Sequence, residues 1–415
     1  MSMENIIVGI DLGSTTIRVA VGQYSVSEDS KIPKLNIIAA VESPSEGVNR
    51  GVVTNIEDAG KAIAAAIDKT EQVIGMPISS AWVTISGSHI TTQLAKGIVA
   101  VSKQDGQITD QDVARAIEAA KTVMTPPNTE ILHILPRSFQ VDNQTNIKNP
   151  VGMTGMRLEV DAYMVVGMSS QITNLTKAIW ITGLEIEDLV FNPLAASEAV
   201  LTSKQKDLGV VVISIGSATT TLAVFEEGDL KLTSILPIGS EHITSDLAIC
   251  LRTSINTAEA IKNNYGVAQS TLIDKNEEVS LGEFDPTEDV SIGRKYVAEI
   301  IEARVEEIFE KVNVELKTIQ RQGKLPGGAI LCGGGAKLPG IIEVAKDVLK
   351  LPASLGYPKK ISTIIDNAGD VSFSSAIGLI LWADQVASKG MGGSKFKTIS
   401  NVTDKMRGWF KSLMP

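Results

Sequence analysis

The stretch "DLGSTTIRVAV" at 11–21 recurs in outline as "SIGSATTTLAVF" at 214–225, and this recurrence constrains the fold more than any other feature of the chain. Each copy reads as a strand, a tight turn of small residues and a second strand. The first is led in by "NIIVGIDLG" and resumes as "TIRVAVGQY", so its hairpin turn is expected at 11–15. The second copy falls near the midpoint, which points to a duplicated unit. Hairpins of this kind can clamp a phosphate tail from two sides, because backbone N–H groups and hydroxyls donate while glycine permits close approach. A third element follows in "AILCGGGAKLPGIIEVAKDVL" at 329–349: a buried strand, three consecutive glycines, and a helix begun after Leu338-Pro339. Glycines after a strand let a flat ring or a phosphate press against backbone, and a helix N-terminus favours anionic groups.

Strand-like and helix-like patterns alternate along the chain, which argues for a layered α/β architecture. Helices are expected at 55–75, capped by Asn55 or the acids after it, and at 109–123, where Thr109 and Asp112 approach a capping box. Others are expected around 171–183, 193–203, 241–265, 292–322, 338–350 and 374–388, with long loops at 125–129 and 142–153. The small residues Ala195, Ala196, Ser375, Ala376 and Gly378 suit close helix approach in "FNPLAASEAVL" and "SSAIGLILWAD", which read as two crossover helices at a hinge. Glu198 is placed facing the cleft.

Composition narrows the function. A chain of 415 residues with 43% hydrophobic and 21% charged residues has an ordinary globular composition and favours more than one packed unit. Its net charge of −10 opposes a phosphate backbone, so nucleic acid is not an expected partner. Cys250 and Cys332 lie far apart, which suggests neither a disulfide framework nor a zinc site. His89, His133 and His242 lack metal-ligand spacing and are read as structural. The start "MSMENIIVGIDLGS" lacks the basic lead of a signal peptide, and no run approaches the roughly 18 apolar residues of a membrane span. The chain is expected to be cytosolic or to lie on a membrane without crossing it.

One segment contrasts with the acidic body. In "KFKTISNVTDKMRGWFKSLMP" at 395–415, Phe396, Ile399, Val402, Met406, Trp409, Phe410 and Leu413 follow steps of three and four. Lys395, Lys397, Lys405, Arg407 and Lys411 oppose only Asp404. A helix with aromatics on one face and cations around it suits the headgroup boundary of anionic lipid. The other use of such a face is docking on the protein's own core; "GMGGS" at 390–394 supplies a loose tether, which suits the anchor better.

On the three loops at 11–16, 214–221 and 333–340, the chain resembles the actin-like ATPase superfamily. Within it, "SAWVTISGSHI" (80–90), "ILHILPRSFQVDNQTNIKNPVGMTGMRLEVD" (131–161), "LPIGSEHITSDLAICLRTSINTAEAIKNNYG" (236–266) and "AEIIEARVEEIF" (298–309) resemble the bacterial FtsA cell-division family, in order and over almost the whole chain. The resemblance implies an actin-like two-lobed α/β fold, built from duplicated ribonuclease-H-like domains, with an FtsA-type inserted subdomain and a C-terminal amphipathic helix. The first lobe's large subdomain would span 1–84, completed by 166–200 and 375–389, with the insertion at 85–165. The second lobe would comprise 201–240 and 330–374, with its small subdomain at 241–329, then a linker at 390–394 and a membrane-targeting helix at 395–415.

The resemblance also implies ligands and partners. ATP would sit on Asp11, Gly13, Ser14, Thr15, Thr16, Ser214, Gly216, Ser217, Ala218, Thr219, Gly333, Gly334 and Gly335, with Glu259 and Lys262 at the purine and ribose. A solvated charge pair on a helix face is the alternative for Glu259 and Lys262. Asp11 would hold Mg through water. The family usually opens its second loop with an acid, whereas this chain has Ser214, and Thr221 stands where another acid is often found. Loss of a carboxylate there makes hydrolysis weak or absent while hydroxyls still bind phosphate. The expected role is an adaptor that self-assembles into filaments on the cytoplasmic face of the cell membrane at the division site. It would anchor FtsZ there, together with other division proteins, through anionic lipid. The FtsZ C-terminal peptide would dock near 291–309 on Arg294, Lys295 and Arg304, with Ile300, Ile301 and Ile308 facing the core. Membrane contact would fall on Phe396, Ile399, Val402, Lys405, Met406, Arg407, Trp409, Phe410, Lys411 and Leu413. A pilus-assembly scaffold of the same superfamily and an actin-fold phosphotransferase or ATPase are the alternatives.

Overall fold

The first hairpin forms where the β-branched run predicts it. Strands Ile6–Leu12 and Thr16–Ser27 pair antiparallel, with Asp11 opposite Arg18 and Leu12 opposite Ile17. The structure, a computed structural model, describes residues 6–27, 30–103, 105–122, 126–286, 290–358, 361–363 and 369–389. The expected linker and amphipathic helix at 390–415 lie outside these residues.

Val8, Ile10, Val19 and Val21 bury the hairpin at the centre of a sheet. Its strand order is Glu185–Phe191, Ser80–Ile85, Ile6–Leu12, Thr16–Ser27, Ser30–Pro44, with the short Ser362–Thr363 at the far edge. A second sheet repeats the plan as Ala353–Leu355, Ala329–Cys332, Val210–Ile215, Thr220–Glu226, Asp229–Leu236. In both, the leading hairpin strand runs parallel to its neighbour on one side and antiparallel on the other. The recurrence in sequence is therefore a recurrence of topology, with Ser214 opposite Thr221 as Asp11 is opposite Arg18.

Two helices, Asn192–Val200 and Ser374–Lys389, pack face to face, their small residues allowing the backbones to meet. Ala195, Ala196, Ser375 and Ala376 are buried. A methyl group at Gly378 would lie 1.8 Å from the Ala195 carbonyl oxygen, so no larger residue fits without separating the helices. Pro193 occupies the first turn of the leading helix, where its missing N–H costs nothing.

Between Ile85 and Ser169 lies a separate four-stranded sheet, Thr91–Ala100, Arg157–Met168, Thr129–Val141, Gln144–Ile147, with its own apolar cluster. Helix Asp110–Lys121 covers it, closed at its start by the reciprocal bonds of Thr109 and Asp112. Asn55 likewise caps helix Ile56–Ile74 by accepting from the Glu57 and Asp58 amides. Two expectations fail here and in the second lobe. The segment 142–153 is not all loop, because Gln144–Ile147 returns to pair with Thr129–Val141. The helix expected over 241–265 is two helices, Ser240–Leu251 and Ile255–Tyr265, since Arg252 adopts a left-handed conformation and Ser254 caps a new start. The long helix Arg294–Thr318 buries Val297, Ile301, Val305, Ile308 and Val312 against them, while Ile300 is only half-buried. Among the described residues no helix is long and apolar enough to cross a membrane.

Candidate functional site

The two hairpin turns and the glycine loop face one another across a cleft between the lobes. It is lined by Asp11, Gly13, Ser14, Thr15 and Thr16 from the first turn and by Ser214, Gly216, Ser217, Ala218 and Thr219 from the second, with Gly333 and Gly334 above. The turns share one backbone bond. The Gly13 amide donates to the Thr16 carbonyl at 3.2 Å, and the Gly216 amide donates to the Thr219 carbonyl at 2.9 Å. A side chain at either glycine would press on that carbonyl, at 2.6 Å and 3.0 Å respectively.

Asp11 ends the first strand at the cleft floor, and its Oδ1 accepts from Thr84 Oγ1 at 2.7 Å and from Asn192 Nδ2 at 3.0 Å. Burial pushes its carboxyl above the ordinary carboxylate range, against the hydrogen bond from Thr84 and the charge of Arg18. Both bonds fall on one oxygen, so a hydrated cation could be met by the other while relieving the cost of an enclosed charge. That donor set fits magnesium held through water. Asn192 also donates to Ser375 Oγ at 3.1 Å and accepts from Thr221 Oγ1 at 3.5 Å, tying the first strand, the second hairpin and a crossover helix to one carboxamide.

The second turn is held differently. Ser240 and Glu241 amides, at the start of a helix, donate to the Gly216 and Ser217 carbonyls, each at 2.9 Å, and Ser217 Oγ donates to Glu241 Oε2 at 3.0 Å. Ser214 lies beside Cys332 in register, and burial pushes that thiol up to about 12. No carboxylate of the second turn enters the cleft among the described residues.

The glycine triplet divides its work. Gly333 takes φ 84°, and methyl groups at Gly333 and Gly335 would strike Ile215 of the second hairpin at 2.6 Å and 2.5 Å. Gly335 thus packs the loop on the hairpin, whereas Gly334 lines the cleft and faces the Arg18 guanidinium. Glu259 and Lys262 are not among the residues that line the cleft around the two turns. Lys262 Nζ donates to Glu259 Oε2 at 2.6 Å, Thr244 Oγ1 at 2.8 Å and the Ser240 carbonyl at 3.4 Å, locking two helices behind the second turn. Burial opposes the Glu259 charge, but the bonds from Lys262 and Thr244 outweigh it and hold the carboxyl below its usual range. Lys262 is buried, while the Glu259 side chain is half-exposed.

Sequence reasoning passed over Arg18 and Asn192, which line the cleft, and Thr84, which bonds Asp11 from outside the lining. Arg18 is the one cation of the described lining, its Nε donating to Glu42 Oε1 at 2.7 Å. A charged residue inside the otherwise apolar "TIRVAV" was the available signal. Thr84 and Asn192 carry none, because their role arises only where separate strands converge. Glu198 is corrected: it accepts from Lys206 Nζ at 2.5 Å and Gln385 Nε2 at 2.6 Å, away from this cleft.

On the expected partner surface, Arg304 grips Asp246 through Nε at 2.5 Å and Nη2 at 2.8 Å and also bonds Glu307. Arg294 bonds Glu277 Oε2 at 2.6 Å and the Tyr265 carbonyl at 3.2 Å, and Lys295 beside it is half-buried. His133 Nε2 accepts from the Phe191 amide at 3.0 Å, and burial lowers the ring to about 4. No group of three or more His, Cys, Asp or Glu side chains that could hold a metal directly occurs among the described residues.

Comparison with known proteins gives concordant results. A family model described as cell division protein FtsA matches residues 211–378, and one described as the SHS2 domain inserted in FtsA matches 87–166. The chain is 34% identical to the cell division protein FtsA of Pseudomonas aeruginosa, covering 97% of each. It is 36% identical to that of Bacillus subtilis over 92% of this chain and 84% of the relative. Among solved structures it resembles a PilM–PilN type IV pilus biogenesis complex, with TM-score 0.64, 15% identity and 91% and 98% coverage. It also resembles MreB5 of Spiroplasma citri bound to ADP, with TM-score 0.53, 13% identity and 95% and 100% coverage. These structural likenesses show a shared fold.

Proposed function

The chain belongs to the FtsA family of cell-division proteins, an actin-like α/β fold with its inserted subdomain, and from that premise we propose that it is an ATP-binding membrane adaptor. The observation that carries the nucleotide reading is the pair of matched turns, Gly13 N–H to Thr16 and Gly216 N–H to Thr219, facing each other across a cleft holding Asp11 and Arg18. Such turns present amides and hydroxyls to phosphates, Arg18 supplies positive charge, and Asp11 would hold hydrated magnesium. MreB5 is seen with ADP on a related fold, which supports a nucleotide here. With one carboxylate, Asp11, and Ser214 in the matched position, the site retains nucleotide and turns it over slowly.

The finer role follows the family. The chain lies on the cytoplasmic face of the membrane at the division site, self-assembles, and holds FtsZ there through its C-terminal peptide, alongside other division proteins. The amphipathic segment 395–415 is the anchor to anionic lipid, and Arg294, Lys295 and Arg304 form the peptide surface. Since both arginines already hold carboxylates, a peptide acid gains affinity there by exchanging one partner for another. The subdomain boundaries given above complete this assignment.

Sedimentation of the full chain with anionic liposomes and the FtsZ peptide tests it. Trp409→Glu with Phe410→Glu is expected to abolish lipid binding, removing apolar insertion worth a few kcal/mol, with peptide binding intact. Arg304→Glu is expected to do the reverse. Lipid binding unaffected by the first pair, or peptide affinity unaffected by the second change, overturns the corresponding part.

A further inference from the structure

A second cleft, of about 610 Å³, opens where the insert, the first lobe and the second lobe meet. Its floor is apolar. Phe139 comes from the insert, Leu194 and Trp382 from the crossover helices, and Phe225 and Leu230 from the second-lobe sheet. Its rim is charged and unbalanced, with Asp110, Glu198, Asp207, Glu227 and Asp229 against Arg137, Lys148 and Lys206. Lys148 pairs with Asp229, Lys206 with Glu198 at 2.5 Å, and Glu227 with Lys231 at 3.3 Å. Asp110 and Asp207 are exposed and hold no cation among the described residues. Arg137 lies 4.7 Å over the Tyr163 ring, and its Nε is buried without an acceptor.

An occupant for such a cleft needs an apolar face with aromatics, an excess of cations, and an acid for Arg137. The chain's own segment 395–415 has that composition: Trp409 and Phe410 on an apolar face, five cations, and the single acid Asp404. It is also within reach. The helix Ser374–Lys389 runs past Trp382 and ends seven residues later, about 10 Å along its axis. The five residues 390–394 can span up to about 17 Å, enough to double back over the cleft.

We infer that segment 395–415 docks in this cleft when no membrane is present, laying its aromatic face over the floor and its cations on Asp110 and Asp207. This rests on the anchor reading. The same face cannot cover Phe225 and Trp382 and enter lipid, so cleft and membrane compete, and apparent lipid affinity falls by the fraction of tails left free. Because the walls come from both lobes, any lobe movement on nucleotide binding alters the hold on the anchor.

Photo-crosslinking in the full chain tests this, with p-benzoylphenylalanine introduced at position 410 in place of Phe410. Without vesicles, crosslinks are expected within one chain to 110–117, 135–151 or 225–230, and mixing isotopically heavy and light chains distinguishes these from crosslinks between copies. Phosphatidylcholine–phosphatidylglycerol vesicles should suppress them. Asp110→Asn with Asp207→Asn, at exposed positions, should lower the crosslink yield several-fold and raise apparent vesicle affinity about 3-fold to 10-fold, with Mg-ATP binding unchanged as the check on folding. Crosslinks elsewhere, between copies or absent, in a chain that still floats with vesicles, overturn the docking and leave the anchor standing. A wild-type chain that does not float overturns the anchor reading, and the competition with it.

Discussion

The two hairpins that clasp the cleft share a backbone and differ in chemistry. Each closes its turn with a glycine amide bonded to a threonine carbonyl three residues on, and each leads a sheet of the same strand order. Asp11 in the first is matched by Ser214 in the second, and Arg18 by Thr221. The first copy therefore carries the charges, of both signs, and the second carries hydroxyls. Duplication preserved the turn geometry, and on the reading proposed above the groups that would complete a metal site for phosphoryl transfer are present on one side only.

Removing the charge on the first side should have the largest effect. Asp11→Asn is expected to weaken Mg-ATP binding about 100-fold, roughly 3 kcal/mol, while changing ATP affinity in EDTA by less than about 3-fold, as read by calorimetry. Equal losses with and without magnesium would break the assignment of Asp11 to the metal.

The lobes also differ in what they carry, since the insert branches from the first lobe and is tied to it by the His133 bond to the Phe191 amide. Its folded pKa, about 4, lies below the ordinary 6.5, so the unfolded chain takes up the proton first as pH falls. The stability is fully present above about pH 6.5 and is lost between there and about pH 4. Going from pH 7.5 to 5 should cost about 2 kcal/mol by this group alone. Denaturant melts of wild type and His133→Gln at both pH values check it; a variant with the same acid sensitivity as wild type would assign the loss elsewhere.

A smaller effect compares the turns directly. Gly13→Ala places a methyl 2.6 Å from the Thr16 carbonyl oxygen, and Gly216→Ala places one 3.0 Å from that of Thr219. Both should destabilise, the first by about 2 kcal/mol and the second by about 1 kcal/mol or less. Thermal melting in the absence of nucleotide ranks them, and a reversed order would mean the turns are less alike than their bonds suggest.

Much of this was legible where the cause is local. Strand–turn–strand patterns announced both hairpins, Asn55 and the Thr109–Asp112 pair announced their helix starts, and "GGG" after a buried strand announced a close approach. What stayed hidden depends on distant segments meeting. Thr84 and Asn192 matter because a neighbouring strand and a crossover helix converge on Asp11. Gly335 resembles its neighbours in sequence, yet Ile215 lies beneath it. Glu259 and Lys262 read as site residues, and the bonds that join them to Thr244 and Ser240 behind the second turn are not visible in the sequence. Glu198 is held by Lys206 and Gln385, partners that only the fold brings to it.

The central claim is that the asymmetry between the hairpins makes a site that binds ATP and scarcely hydrolyses it. The direct measurement is phosphate release by the full chain saturated with Mg-ATP, alongside Ser214→Asp, which restores a carboxylate opposite Asp11. Wild type is predicted to bind in the micromolar range and release phosphate far below about 1 per second, the lower range of ordinary enzymes, with Ser214→Asp about tenfold faster. Wild-type turnover of about 1 per second or more, or a Ser214→Asp variant that binds Mg-ATP normally yet turns over no faster, would contradict it.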